Sequence, residues 1–96
     1  MIKVSILYPK SDDSAFDLGY YADQHFGLLR ERLGAALLDT EIDEVLDGPY
    51  HAVGHLMFDS LDDFNGGMSE HGKEIMADIP NYTDTSPVIL VSRVLE

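Results

Sequence analysis

The four histidines are the side chains of this sequence best suited to chemistry, because the 96-residue chain contains no cysteine. His25 lies in the middle of an apolar stripe on a predicted helix. A titratable ring in that position must find a hydrogen-bond partner or line a cavity. It is either a hydrogen-bonded core histidine or an imidazole that transfers protons as a general acid or base.

The spacing His51-x-x-x-His55 argues against a shared metal ion. Both residues fall in a predicted strand, where four residues at about 3.3 Å each separate the Cα atoms by ~13 Å. Haem held by His25 or by His71 is a further alternative, although His71 also fits a partly buried helix position. We expect no cofactor and no metal.

Other polar side chains could join His25 in a small-molecule pocket. His55 and Met57 share one face of their predicted strand, and we expect that face to lie against the helix that carries His25. Tyr21 and Tyr50 bring hydroxyl groups, one of which could stabilise an oxyanion. The pocket hypothesis therefore combines an apolar wall with a few convergent polar groups.

Carboxylates at the ends of elements form a second group of candidates. Asp59, Asp78 and Asp84 border strand or helix ends near the expected mouth of the cavity. Phe16 and Tyr20, in contrast, project from the opposite side of the first helix and are interpreted as interface or loop-packing residues. We expect most other carboxylates to be solvated at turns and helix starts.

The order of the predicted elements is β-α-β-β-α-β. Alternation predicts strands at 2–8 and 51–59, apolar spacing predicts helices at 16–33 and 61–79, and the run 88–94 is rich in β-branched residues. The acidic alternation between Ala36 and Leu46 indicates an exposed or edge strand. This order is typical of a ferredoxin-like α+β fold, a split βαβ unit with a four-stranded antiparallel sheet and two helices on one face.

Two features of this fold call for compensation. Gly66 and Gly67 each cost the second helix roughly 1 kcal/mol of propensity, which predicts close packing or a kink there. The uncovered face of the sheet carries apolar residues, and together they form a patch that is too large for a soluble monomer. We therefore expect a homodimer through the sheet face.

The charge excludes several classes of function. Eighteen acidic against six basic residues give a net charge of −12, which repels nucleic acid and anionic membrane surfaces. No apolar run reaches the ~18 residues of a membrane span, and Met1 to Tyr8 lacks the pattern of a secretory signal. We expect one domain over 1–96, located in the cytoplasm.

Common catalytic templates do not match. The sequence has no Gly-x-Ser-x-Gly elbow, phosphate-binding loop, dinucleotide-binding glycine motif or His-Glu-x-x-His motif. Ser/His/Asp catalysis is not predicted either. The interpretation depends on His25 and on its surroundings.

Several segments in order resemble the EthD family. They are Leu7-Tyr8-Pro9, Phe16-Asp17, Tyr20-Tyr21-x-x-x-His25, Gly48-Pro49-Tyr50 and the run Ala77-Asp78-Ile79-Pro80-Asn81-Tyr82-Thr83-Asp84, which together span nearly the whole chain. The resemblance implies a dimeric α/β barrel whose ligand lies between sheet and helices. It also implies His25 as the functional residue, with Tyr21, Tyr50, Tyr82 and Asp84 in support.

The resemblance implies a range of activities rather than one. Members of the EthD family are often labelled reductases, and relatives of the same fold include cofactor-independent oxygenases, isomerases, dehydratases and polyketide cyclases. The first hypothesis is a cofactor-independent enzyme acting on an apolar or aromatic oxygenated catabolic intermediate. The alternative is a non-catalytic binding or accessory protein that delivers such a compound to a redox system.

Overall fold

The computed structural model describes residues 1–95, so Glu96, the last residue of the predicted domain, lies outside the described part. Its elements follow the predicted order. They are β1 (Ile2–Pro9), α1 (Leu18–Tyr20), a π-helical turn (Tyr21–His25), α2 (Phe26–Leu33), a 3-10 turn (Gly34–Ala36), β2 (Asp39–Glu44), β3 (Tyr50–Phe58), α3 (Leu61–Ala77), a second 3-10 turn (Ile79–Asn81) and β4 (Val88–Arg93). Among these described elements no helix has the length and apolar character needed to cross a membrane.

The four strands form one antiparallel sheet in the order β2-β3-β1-β4. β1 and β2 belong to one βαβ unit but are separated by β3, which is the split arrangement of a ferredoxin-like fold. β2 lies at an edge, as its acidic alternation predicts. The predicted fold class is confirmed.

One face of the sheet carries the core. Val4, Leu56 and Val91 stand side by side across three strands, and alternation from them defines the face toward the helices. The core contains buried side chains from β1, β3, α2 and α3: Ile2, Val4, Tyr8, Ala52, Leu56, Phe58, Phe26, Leu29, Leu33 and Ile75. We call the opposite side the open face.

His55 and Met57 lie on the open face. In β3 the buried residues are Ala52, Gly54, Leu56 and Phe58, so the two alternating positions point away from the helices. The expectation that His55 and Met57 face the helix of His25 is wrong. The sequence pattern identified the two faces correctly but not which one the helices cover.

The first helix begins two residues later than predicted. Phe16 forms an isolated bridge with Thr83, and the side chain of Asp17 then caps the helix by accepting a bond from the Tyr20 amide. Gly34, with a φ of 56°, ends the helix in the conformation that glycine allows best. The loop around Thr83 is thereby fixed beside the helix start.

Candidate active site

His25 ends the π-helical turn and is 3% exposed. The turn is closed by the Phe26 amide, which donates to the Tyr21 carbonyl five residues earlier. Asp78 follows the last turn of α3, and its Oδ2 lies 2.9 Å from Nδ1 of His25. A buried imidazole from one helix thus meets a carboxylate from the end of the other.

Burial and hydrogen bonding set the charges of this pair. Burial lowers the pKa of His25 below its ordinary value of 6.5, and the opposing effect of Asp78 is smaller. For Asp78 burial raises the pKa, but hydrogen bonds from Tyr20, Asn81 and His25 together outweigh it and lower the pKa below 3.8. At neutral pH the pair is a neutral imidazole beside an ionised carboxylate.

This charge state fixes the roles of the two ring nitrogens. An ionised carboxylate only accepts, so Nδ1 carries the proton and donates it to Asp78. Nε2 then has a free lone pair, and no hydrogen-bond partner for it occurs among residues 1–95. Such a nitrogen can take a proton from a bound molecule.

A small apolar cavity adjoins the ring. It has a volume of ≈ 40 Å³ and lies between the core side of the sheet and α2 and α3. Apart from His25 and Tyr8 its lining is apolar: Val4, Ile6, Leu29, Leu56, Phe64, Met68, Ile75, Met76, Ile79, Pro87 and Ile89. No lysine, arginine or carboxylate lines it.

Tyr21 and Tyr82 pack against His25, and Tyr8 packs against both of these tyrosines. The Tyr21 ring stacks on the imidazole at a centroid distance of 5.7 Å, and the Tyr82 ring lies at 4.8 Å. The hydroxyl groups of Tyr82 and Tyr8 are 2.6 Å apart. Burial raises the pKa of all three tyrosines, so their hydroxyl groups stay protonated.

The Tyr21 hydroxyl is buried without a hydrogen-bond partner among the described residues. It lies against Gly54 of β3, where any Cβ atom would collide with it. A buried hydroxyl without a partner is costly, and the glycine provides the space it needs. Tyr21 is therefore held by packing rather than by its polar group.

The structure brings together only some of the predicted site residues. His25, Tyr21 and Tyr82 are in contact, whereas His55 and Met57 lie on the open face. Asp84 accepts a bond from the Ala15 amide, and Tyr50 pairs with Pro9 at the end of the sheet. None of these last four lines the cavity, and neither Tyr21 nor Tyr82 does, so His25 is the one predicted site residue in its lining.

Sequence reasoning missed Tyr8 and Tyr20 and valued Asp78 only as a residue at a helix end. Tyr8 could have been found, because it alternates with Val4 and Ile6 on the core side of β1. Tyr20 donates its hydroxyl to Asp78 at 2.7 Å. The helical spacing gave no signal for it, since the π-helical turn changes the direction of the side chains.

A second polar chain lies on the open face. Ser5 Oγ is 3.1 Å from Nδ1 of His55, and Nε2 of that ring is 3.0 Å from Asp43 Oδ2. This order resembles a nucleophile, a base and an orienting acid. Ser5 lies in a strand paired on both sides, so the neighbouring amides bond within the sheet and are not available as an oxyanion hole.

Possible metal ligands are not grouped in the described part of the chain. Residues 1–95 hold no cluster of three or more His, Asp or Glu side chains that could bind a metal ion.

Comparison with known proteins places the chain in a family. No protein-family model matches it, and no curated protein matches its sequence. A crystal structure of an EthD-like protein from Ralstonia eutropha JMP134 has 36% identity and a TM-score of 0.93, and the match covers 99% of this chain and 92% of that one. The chain belongs to the EthD family.

More distant structures share the fold alone. A dimeric ferredoxin-like protein of unknown function from Thermobifida fusca has 16% identity and a TM-score of 0.65, covering 97% of this chain and 90% of that chain. SnoaB, a cofactor-independent oxygenase from Streptomyces nogalater, has 7% identity and a TM-score of 0.69, with coverages of 99% and 92%. The predicted family resemblance is confirmed by the EthD-like structure at 36% identity, whereas these two structures show only the fold.

Proposed function

We propose that this EthD-family protein is a small enzyme that transfers protons without a cofactor, with His25 as the general acid and base. One observation carries the proposal: Nε2 of a buried neutral imidazole has a free lone pair beside an apolar cavity, while Asp78 binds Nδ1. The fold shared with a cofactor-independent oxygenase supports it.

The substrate class follows from the lining. An apolar wall without a cation would bind an ionised substrate poorly, so the proposed substrate is an uncharged apolar or aromatic molecule with an oxygen function. Its acidic C–H or O–H proton moves to Nε2, and the Asp78 carboxylate stabilises the resulting imidazolium. Enolisation, dehydration and isomerisation can each begin with this step, and so can oxidation when molecular oxygen accepts the electrons of the deprotonated substrate.

The cavity must widen to admit such a molecule. Its volume of ≈ 40 Å³ holds water-sized molecules, whereas small-molecule pockets measure roughly 300–1,000 Å³. Met68 and Met76 line it with flexible thioether side chains, and Met76 is 46% exposed. We propose that Met76 moves aside when the substrate enters.

The test is deuterium exchange into enolisable aromatic ketones, starting with 2-tetralone, followed by proton NMR in heavy water. We expect the wild-type protein to accelerate exchange and His25→Gln to lose about 100-fold or more of that acceleration. His71→Gln, a half-buried histidine outside the cavity, is the matched control. Equal acceleration by wild type and His25→Gln would overturn the assignment. Ketone binding without any exchange would favour the non-catalytic binding protein.

We also propose that two copies pair through their open faces. All six residues of β4 are exposed, and Val88 and Leu90 on its open side are 44% and 50% exposed. Leu7 and Val53 continue this apolar surface on the neighbouring strands. The related fold described as dimeric supports the same assembly.

Two neighbouring positions of β4 test the pairing. Leu90→Lys places a charge on the open face, and we expect it to give a monomer in light scattering at micromolar concentration. Val91→Lys alters the other side of the same strand at 47% exposure, so this variant should stay dimeric. A monomeric wild type, or a dimer that survives Leu90→Lys, would contradict the proposal.

A further inference from the structure

The two oxygens of the Asp78 carboxylate have different partners. Oδ2 accepts the bond from Nδ1 of His25. Oδ1 accepts a bond of 2.7 Å from the Tyr20 hydroxyl and another of 2.9 Å from the Asn81 side-chain amide. Because both donors bind the same oxygen, they leave the other oxygen to the imidazole.

The π-helical turn makes this arrangement possible. In a regular α-helix, two residues five apart point about 140° away from each other. Tyr20 and His25 are five apart, yet both side chains reach one carboxylate across the turn that separates them. The irregular turn therefore gathers a donor and the imidazole on the same side.

We propose that Tyr20 and Asn81 are positioning residues for His25, acting through Asp78. This inference rests on the proposed function, because it explains how Nε2 is kept free as the base. The two donors stabilise the ionised carboxylate and stop it from rotating, so that Oδ2 stays aimed at Nδ1. The proton of the neutral imidazole is then held on Nδ1.

Tyr20→Phe isolates the hydroxyl group from the ring. The Tyr20 ring stacks on Tyr82 at a centroid distance of 6.0 Å, and phenylalanine keeps that contact. Tyr20 is half-buried and lies outside the fully packed core. The substitution thus removes one donor to Oδ1 and little else.

The experiment is a long-range proton–nitrogen NMR correlation on protein with ¹⁵N-labelled histidine, recorded across a pH titration. In the wild type we expect neutral His25 to be the Nδ1–H tautomer. In Tyr20→Phe we expect the ratio of Nδ1–H to Nε2–H to fall several-fold, and carbon NMR should show a raised pKa for Asp78. His51, His55 and His71 are internal controls, and their signals should be the same in Tyr20→Phe as in the wild type at each pH.

An unchanged His25 tautomer and an unchanged Asp78 titration in folded Tyr20→Phe would overturn the inference, even if the melting temperature fell. If Tyr20→Phe does not fold, Asn81→Ala at an exposed position decides in the same way. A lower ratio of Nδ1–H to Nε2–H and a raised pKa of Asp78 in Asn81→Ala would support the inference. If both the tautomer ratio and the Asp78 titration stay as in the wild type, the inference is overturned. The NMR test uses no substrate, so its failure is distinguishable from a failure of the ketone exchange test.

Discussion

His25 shows how far single residues can be interpreted from sequence. The apolar stripe around it predicts a buried ring or a cavity, and the structure has both. Its partner could not be predicted in the same way, because Asp78 is 53 residues away and no local pattern connects them. The choice between a free and an engaged Nε2 depends entirely on that long-range contact.

The buried pair predicts a loss of stability in acid. Burial lowers the pKa of His25 in the folded state below 6.5, its ordinary value. At a pH well above 6.5 the ring is unprotonated in both the folded and the unfolded state. As the pH falls from about 6.5 toward the folded pKa, the unfolded chain takes up the proton first, so the free energy of unfolding decreases. Asp78 adds its own loss below its ordinary value of 3.8.

Urea unfolding at about pH 7.5 and about pH 5.5 measures the histidine effect, since Asp78 stays ionised in both states. We expect His25→Gln to reduce the difference between the two free energies of unfolding. His71→Gln is the control for histidine removal as such. An identical pH difference in wild type and His25→Gln would refute the linkage.

At the scale of elements, the sequence patterns predict which helices and strands form better than they predict how these elements pack against one another. Alternation, helical spacing and β-branched composition located all four strands and both helices. The glycine pair in α3 predicted close packing or a kink, and Gly67 lies so near Leu33 that a Cβ atom would come within 2.7 Å of it. Gly66 faces open space, so close packing explains the glycine at position 67 but not the one at position 66. The contact between β3 and the first helix had no pattern to reveal it.

That contact predicts a coupled pair of substitutions. Gly54→Ala brings a methyl group into the Tyr21 hydroxyl and should cost roughly 1–3 kcal/mol of stability. Tyr21→Phe removes a hydroxyl without a partner and should cost nothing. In the double variant the cost of Gly54→Ala should shrink but not vanish, because Phe26 is also close.

Urea midpoints of the four proteins measure this coupling. Simple addition of the two single effects would show that the hydroxyl does not limit the space above Gly54. A large loss in Tyr21→Phe alone would show that the hydroxyl has a partner in solution, such as an ordered water molecule.

For the whole molecule, element order was enough to predict the ferredoxin-like fold, because one split βαβ arrangement accommodates it. Which face of β3 the helices cover was not predictable, since the helix-facing side includes Ala52 and Gly54 while the open side includes Val53 and Met57. Hydrophobicity alone therefore does not determine which face of β3 lies against the helices. That ambiguity is why the predicted site included His55 and Met57.

Charge should govern how tightly the proposed dimer forms. Each copy carries −12, and β2 places Asp39, Glu41 and Asp43 on the open face. Salt screens this repulsion, so the dissociation constant of the dimer should decrease as sodium chloride rises from about 20 mM to about 300 mM. Analytical ultracentrifugation at the two salt concentrations measures it, and weaker association in high salt would contradict the expectation.

The π-helical turn also shows how the first helix accommodates one additional residue. A π turn contains one residue more than an α turn, so deleting a solvent-exposed residue such as Asp23 would let the segment relax into a regular helix. Two residues four apart in a regular α-helix point within about 40° of each other, so the tyrosine and the histidine would stay on one side of the shortened helix. Among relatives, a single-residue gap in this segment is therefore compatible with a tyrosine and a histidine on one carboxylate, at a spacing of four residues instead of five.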